Sequence, residues 1–457
     1  MTGHQQDPPE PSVRRFRDCY GRLYRVGETD RELLGHGLGR GLVLWSAWAA
    51  MLGVGALQYA FALIALPLHG SAATFVLLGC WTVCQAAGVP LAHWLRARCR
   101  AGARSLVLNG GACCAGAFGI AAATTHGGFP GGVPAGAAMA LLLGYGLLGG
   151  IGAGLVYATC TASAARWFPE RAPAAVAFVT GGYAYGAVLP LLLLLGLGPR
   201  DAVAPVLAAA GLFTLLAALG CGALLRDPPE NWWPGAVDPR QWTLDRHLNR
   251  SLRHNRPALW DVPAGPGSQS GAWRLLYTAT ALTSAVLLCD LARLAADFSV
   301  RPGADTLWAC AAFAAGSGGG RSAVGALAER FGRGGVLSVA LLLAAFAQPG
   351  LTAGSPVLAG SCAALAGCGT GACYPVLVGL LRGFYGRRGG QRAFALLYTA
   401  KAFGGAAGCA VAALAPREGG AGIAMAAALA AALTVRVARR PRPTFGQRPV
   451  AARRRVS

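Results

Sequence analysis

The chain has 457 residues, 54% hydrophobic and only 13% charged, with 67 glycines and a mean hydropathy of +0.47. Soluble domains carry about 25% charged residues, so this composition excludes a soluble globule and describes a polytopic membrane protein. The net charge of +22 raises nucleic-acid binding as an option, but it is spread over short polar segments beside apolar runs and reads as topology. No nucleic-acid partner is expected.

Residues 1–41 are polar and charged, with no apolar core before the first long run. They are expected to stay in the cytoplasm, the first span acting as the insertion signal in place of a cleavable leader. Runs long enough to cross about 30 Å of hydrocarbon then follow near 42–66, 71–94, 105–124, 136–163, 173–196 and 202–225. Residues 226–272 are rich in proline and charge and contain no spanning run. They are expected to form a cytoplasmic linker, with Trp232, Trp233 and Trp242 resting at the membrane interface. Six further runs lie near 273–297, 305–328, 335–353, 356–381, 392–414 and 418–437. The basic tail, 438–457, is expected to skim the inner membrane surface.

Positive charge orients these runs. The chain has 39 arginines and one lysine, Lys401. With both termini inside, the inner segments hold 34 of the arginines and the outer loops three, Arg200, Arg301 and Arg417, while Arg293 and Arg321 fall within spans. An odd number of spans would destroy this asymmetry. The third, ninth and twelfth runs are Ala/Gly-rich and weakest in hydropathy, yet the charge pattern needs all three. The expectation is an all-α membrane protein with twelve transmembrane helices in two six-helix halves, 42–225 and 273–437. Shifting the chain by 216 residues lays RWFPERAPAAVAFVTGGYA on RGFYGRRGGQRAFALLYTA with six identities, each copy entering the fifth span of its half. Duplicated halves are a transporter pattern, with the binding site between them near the bilayer midplane.

Glycines recur every fourth residue at Gly146/Gly150/Gly154, Gly182/Gly186, Gly367/Gly371 and Gly404/Gly408. Such rows let helix backbones approach closely, which also suits helices that slide. The fourteen cysteines show no CxxC pair or flanking histidine, so they read as small helix residues, with no metal site, cofactor or disulfide expected. The chain has no Ser/His/Asp set, HExxH, P-loop or dinucleotide fingerprint, and His69, His93 and His126 lie at span ends. It is not expected to be an enzyme.

Ionisable groups within spans cost roughly 2.5–3.5 kcal/mol each at the bilayer centre and need an account. Lys401 lies nine residues after Arg392, which places it about 13 Å deep. It reads as an anion ligand or as a buried lysine that is uncharged or neutralised by a carboxylate on another helix. Arg321 lies about 12 Å from Glu329 along its span; its guanidinium keeps its charge and its planar fork suits a carboxylate. Asp290, Arg293 and Asp297, at i, i+3 and i, i+4 spacings, are expected to neutralise one another toward the outer end of the seventh span, with an outer gate or a proton site as the alternative. Asp290 could instead partner Lys401. No Asp or Glu lies mid-span in the first half, so the cavity is expected to favour an anion.

Several segments carry a family resemblance: RWFPERAPAAVAF after the fourth span, GALQYAFALIALPL in the first, GRSAVGALAERFGRG after the eighth and LLYTAKAFGG in the eleventh. Across all twelve spans the chain resembles the oxalate/formate antiporter family of the major facilitator superfamily, and it is also similar to monocarboxylate carriers. The resemblance implies the major facilitator fold and carboxylate binding by Arg321 and Lys401. It further implies a cavity lined by Gln58, Tyr59 and Tyr157, with Tyr374 and Tyr398 as further candidates. Ser317, one turn before Arg321, stands where related carriers often have an aspartate. Gly325, Glu329, Arg330, Gly332 and Arg333 match the superfamily's gate motif in the second half; in the first, GVPLAHWLRARCRAGAR has no acid between Gly88 and Arg104. The expected function is exchange of small mono- or dicarboxylates by alternating access in a bacterial plasma membrane, by a monomer whose partners are its carboxylate and membrane lipid. Proton-coupled monocarboxylate symport and efflux of an unrelated small molecule are the alternatives.

Overall fold

A computed structural model of the protein describes residues 13–17, 22–35, 39–126, 133–198, 202–255, 258 and 270–439. Arg200 and nearly all of the basic tail lie outside the described residues.

The twelve spans are helical. In the first half, α1 runs Arg40–Tyr59 and resumes as Phe61–Ala65. It is followed by α2 (Ala72–Arg98), α3 (Ala103–His126), α4 (Ala135–Trp167), α5 (Pro169–Leu197) and α6 (Val203–Leu224). In the second half, α7 is Gly271–Val300, α8 starts as Ala304–Gly319 and continues to Phe331, and α9 is Arg333–Thr352. The stretch Pro356–Leu414 holds two spans, α10 (356–385) and α11 (387–414), separated at Gly386. There φ is 86° and ψ is −171°, a conformation open to glycine and almost nothing else. The last span, α12, is Arg417–Val437. Among the described residues, length and hydropathy alone pick out ten spanning stretches. One of those is the double stretch 356–414, and α8 is missed because Gly316, Gly318, Gly319, Gly320 and Arg321 dilute its apolar character.

The glycine rows set the packing, and they do so alike in the two halves. A Cβ on Gly186 of α5 would sit 1.8 Å from the Leu52 carbonyl oxygen of α1, and one on Gly404 of α11 would sit 1.9 Å from the Ala281 oxygen of α7. Likewise Gly154 of α4 faces the Gln85 carbonyl oxygen of α2 at 2.5 Å, and Gly367 of α10 faces that of Phe313 on α8 at 2.3 Å. In each half the fifth helix thus lies backbone to backbone on the first, and the fourth on the second, as two six-helix pseudo-repeats require. Large apolar side chains such as Leu189, Leu197, Phe346 and Leu414 point outward, the arrangement expected where lipid is the solvent.

One end of the bundle carries a small non-helical cap. Strands β1 (Arg14–Arg17) and β2 (Leu23–Val26) form an antiparallel hairpin, and the linker joins β2 through Arg25 N to Asn231 O and Trp233 N to Arg25 O, both 2.9 Å. Trp232 and Trp233 are therefore buried, not laid at the membrane interface as expected from the sequence. The indole N–H of Trp232 donates to Glu28 O (3.1 Å), and the Trp233 ring packs edge-on against Tyr24. Burial with a satisfied N–H is the stronger option for an indole when a strand edge lies within reach. Trp242 is half-buried.

Candidate functional site

Both cations expected within the bilayer are enclosed by protein: Lys401 is 0% exposed and Arg321 1%. Arg321 stands on a single π-helical turn, Gly320–Val324, that interrupts α8. Such turns insert one extra residue and re-aim the side chains around them, often at functional sites.

Lys401, on α11, reaches across to the other half. Its Nζ donates to Gln58 Oε1 of α1 at 2.7 Å and to Gln85 Oε1 of α2 at 2.9 Å. Arg321 crosses in the same way, its Nη2 donating to the Tyr59 hydroxyl at 3.1 Å. That hydroxyl also lies 2.7 Å from Ser317 Oγ. Gln85 Nε2 donates to the Tyr398 hydroxyl (3.0 Å), Tyr183 donates to Gln58 Oε1 (3.3 Å), and Tyr374 shares a hydrogen bond with Ser284 (3.0 Å).

Aromatic faces complete the enclosure. The Arg321 guanidinium lies 5.1 Å from the Tyr374 ring and 5.4 Å from Tyr183; the Lys401 ammonium lies 5.5 Å from Trp81, 5.7 Å from Tyr374 and 5.9 Å from Tyr183. Tyr183 and Tyr374 therefore stand beside both cations, in the range of cation–π attraction. The Tyr157 ring sits 5.0 Å from Tyr398 and 5.5 Å from Tyr183. Arg321, Lys401, Gln58, Tyr59, Tyr157, Tyr374 and Tyr398 are thus brought into one cluster. Gln85, Tyr183, Trp81 and Ser284 also belong to it and were not singled out from sequence. An amide in the middle of an apolar span is the signal that could have found Gln85, as it found Gln58.

The cluster is rich in donors. The Nε and Nη1 of Arg321, the amide nitrogen of Gln58, the Tyr157 hydroxyl and the indole nitrogen of Trp81 are buried without a hydrogen-bond partner among the described residues. Its acceptors are amide and hydroxyl oxygens, with no carboxylate on any cluster residue. Two buried basic side chains therefore meet dipoles and, among the described residues, no carboxylate.

The acidic group on α7 is arranged differently from expectation. Arg293 does not pair with Asp290 or Asp297. Its guanidinium donates to the carbonyl oxygens of Arg417 (2.7 Å), Ala415 (3.0 Å) and Pro416 (3.2 Å), beyond the end of α11. The turn from α11 into α12 brings these carbonyls within hydrogen-bond distance of the guanidinium, and neither carboxylate forms an ion pair with it. Asp297 pairs instead with the Arg417 side chain, and Asp290 accepts from Gln348 Nε2 of α9 at 3.1 Å. Asp290 is not a partner of Lys401. It lines a narrow cleft of about 50 Å³ together with Cys289, Gln348, Thr352 and Arg417.

At the linker end, Arg333 grips Glu329 with two hydrogen bonds, 2.6 and 2.8 Å, and its third nitrogen donates to Gly379 O at 2.9 Å. The linker adds Ser251 on Glu329 and Asn255 on the Ala328 and Glu329 carbonyls. Arg330 lies against the Phe331 ring, Gly332 has φ of 102°, and Gly325 packs on Ala177 of α5. In the first half the acid absent from the α2–α3 loop comes from elsewhere: Asp227, just beyond α6, pairs with both Arg96 and Arg166.

No protein-family model matches the chain, and no curated protein sequence matches it. Solved structures do. The xylose transporter XylE from E. coli, in a partially occluded inward-open conformation, superposes with a TM-score of 0.61 at 13% identity over 86% of this chain and 96% of its own. The same transporter in its inward-open conformation gives 0.59 at 15% identity over 89% and 98%. The human organic anion transporter MFSD10 (TETRAN) gives 0.59 at 18% identity over 87% and 99%. These proteins share a backbone plan with the present one and little sequence: the chain is a multi-pass membrane protein with the twelve-helix major facilitator fold.

Proposed function

We propose that the protein is a secondary carrier that exchanges small organic anions, mono- or dicarboxylates of the oxalate/formate type, by alternating access across a bacterial plasma membrane, with both termini cytoplasmic. One observation carries this reading: two buried basic groups, Arg321 and Lys401, lie where the halves meet, with unmet N–H donors and, among the described residues, no carboxylate paired with them. A fold shared with a xylose transporter and with an organic anion transporter leaves the substrate open. The charge of the cluster favours an anion.

The chemistry follows from the hydrogen bonds. A carboxylate entering between the halves competes with Gln58 and Gln85 for the Lys401 ammonium. It also meets the unpartnered Nε–H and Nη1–H groups of Arg321, and a bidentate contact pairs Nη2, which now donates to Tyr59, with one of them. A dicarboxylate satisfies both cations. Tyr157 and the Gln58 amide supply further neutral donors, and Tyr374 and Tyr398 form walls.

Exchange follows from the charge balance. Without an anion, amide and phenol oxygens satisfy hydrogen bonds but cancel no charge, so closing both gates encloses two positive charges in a low-dielectric space. A bound dicarboxylate removes that penalty, and the carrier crosses most readily when loaded. The test is counterflow in liposomes with labelled oxalate, formate, lactate, pyruvate and succinate, using Lys401→Gln as control. Saturable carboxylate counterflow lost in Lys401→Gln supports the proposal, and counterflow that survives the substitution points to an unrelated cargo.

A second reading, proton-coupled monocarboxylate symport, draws on the buried carboxylate of Asp290. Transport that follows external pH in the native protein and loses that dependence in Asp290→Asn would favour it.

A further inference from the structure

A groove of about 740 Å³ runs between α8, α9 and α12 on the outside of the bundle, away from the cation cluster. Val324, Leu327, Val339, Leu343 and Leu429 line it, and Arg436 stands at one end. Ser338, on its wall, spends its hydroxyl on the Gly334 and Ala432 carbonyls, so the channel itself is apolar.

The direction of the groove is informative. On α9 it extends from Gly335, two residues from the linker end, to Leu343, eight residues or about 12 Å further along. That is most of one leaflet of a bilayer whose hydrocarbon is about 30 Å thick. On α12 it climbs from Arg436 to Leu429, and on α8 from Phe331 to Val324. Its basic end therefore lies at the level of the headgroups, and its deep end reaches the outside of the π-helical turn that carries Arg321.

The mouth is cationic. The tip of Arg436 rests beside Gly335, where an added Cβ would lie 3.6 Å from Nη1. Arg330 lies 5.3 Å from the ring of Phe331, which also lines the groove. Among the described residues neither arginine pairs with a carboxylate. An arginine in the last turn of a helix is favoured by the carbonyls there. That accounts for Arg436 but not for a one-leaflet apolar channel leading to it.

We propose that this groove is a binding site for an anionic phospholipid, with an acyl chain along α9 and the phosphate held by Arg436 and Arg330. Basic pockets between spanning helices on the cytoplasmic side recognise anionic headgroups in this way. The arginine distribution assigns this end to the cytoplasm, and the site does not depend on which cargo the protein carries.

The full-length protein, delipidated in detergent, would be given equal amounts of dioleoylphosphatidylglycerol and dioleoylphosphatidylcholine and the retained lipid counted by native mass spectrometry. Phosphatidylglycerol is expected to be retained preferentially. Arg436→Gln is expected to lower that preference about fivefold, while Arg436→Lys keeps it, since each basic residue near the surface contributes about that factor. Val339→Trp, which fills the channel and leaves both arginines, is expected to lower retention of phosphatidylglycerol. Arg301→Gln at the opposite end serves as control and should change nothing. Equal retention of the two lipids by the native protein, or an unchanged preference in an Arg436→Gln protein that keeps its native thermal transition, would overturn the proposal.

Discussion

The Lys401 ammonium and the Gln58 side-chain carbonyl are 2.7 Å apart, although one belongs to α11 and the other to α1 in the opposite half. With Gln85 as second acceptor, the lysine's hydrogen bonds go to two neutral amides, and no carboxylate among the described residues pairs with it. Lys401→Gln should therefore separate function from stability. Losing a charge-assisted contact of about 1.5–3 kcal/mol should lower carboxylate counterflow by at least about tenfold. Removing a buried charge that costs roughly 2.5–3.5 kcal/mol should leave the thermal transition in detergent unchanged or raised. Intact counterflow would end the anion-binding role of this residue.

Arg321 makes a sharper test of geometry. Arg321→Lys keeps the charge and discards the fork, so if a carboxylate docks bidentately its affinity should fall about tenfold or more, measured by equilibrium binding of labelled dicarboxylate. Tyr59→Phe removes the hydroxyl that holds Nη2 in place and should cost about 1 kcal/mol, or about fivefold. An Arg321→Lys protein with native affinity would mean that charge alone, without planar recognition, accounts for binding.

Much of this could be read from residue order because the bilayer imposes simple rules. Spans follow from apolar length, and Lys401 and Arg321 stand out as charges within such runs. The glycine rows at Gly182/Gly186 and Gly404/Gly408 foretold close helix contacts, though not which helices meet. What escaped reading depends on tertiary placement. Asp227 reaches Arg96 from 131 residues away, so the acid missing from the α2–α3 loop could not be located by spacing. Arg293 has two carboxylates at helical spacing, yet the end of α11 presents carbonyls that no local pattern reveals. Gln85 carries the same mid-span amide signal as Gln58, but its partner Lys401 lies 316 residues away in the other half, where no local pattern points to it.

Asp227 supplies the only carboxylate that meets Arg96 and Arg166 among the described residues. Asp227→Asn should leave two arginines facing each other at the linker end and weaken closure there. Partly exposed pairs contribute about 0.2–1 kcal/mol, so the maximal exchange rate should change by about two- to fivefold while the half-saturating anion concentration stays constant. Glu329→Gln should act likewise in the second half, where Arg333 and Ser251 lose their shared partner. A change in affinity without a change in rate would show that these pairs shape the binding site and not the gate.

Asp290 bonds to Gln348 and stands apart from the cation cluster, so the exchange mechanism does not use it. Counterflow between mildly acidic and mildly alkaline external pH should be flat for a fully ionised dicarboxylate. It should remain flat in Asp290→Asn, where an amide of the same shape still fills the cleft. A pH-dependent rate abolished by that substitution would transfer the argument to proton symport.

The glycine contacts allow a test of the fold itself. A Cβ on Gly55 would lie 1.8 Å from the Tyr183 carbonyl oxygen, far inside any van der Waals distance. The obstacle is backbone, so relief requires α1 and α5 to move apart, breaking the contacts that seat Gln58, Tyr59 and Tyr183 around the cations. Overpacking of this kind costs about 1–3 kcal/mol where side chains can yield, and more where they cannot. Gly55→Ala should therefore greatly lower the yield of monodisperse protein. Gly116 on α3 faces open space, and Gly116→Ala should be tolerated or stabilise its helix by about 0.5–1 kcal/mol. Size-exclusion profiles of the two variants, expressed side by side, decide the matter. Equal yields would mean that α1 and α5 do not approach closely, and the enclosure of the cation cluster would fail with them.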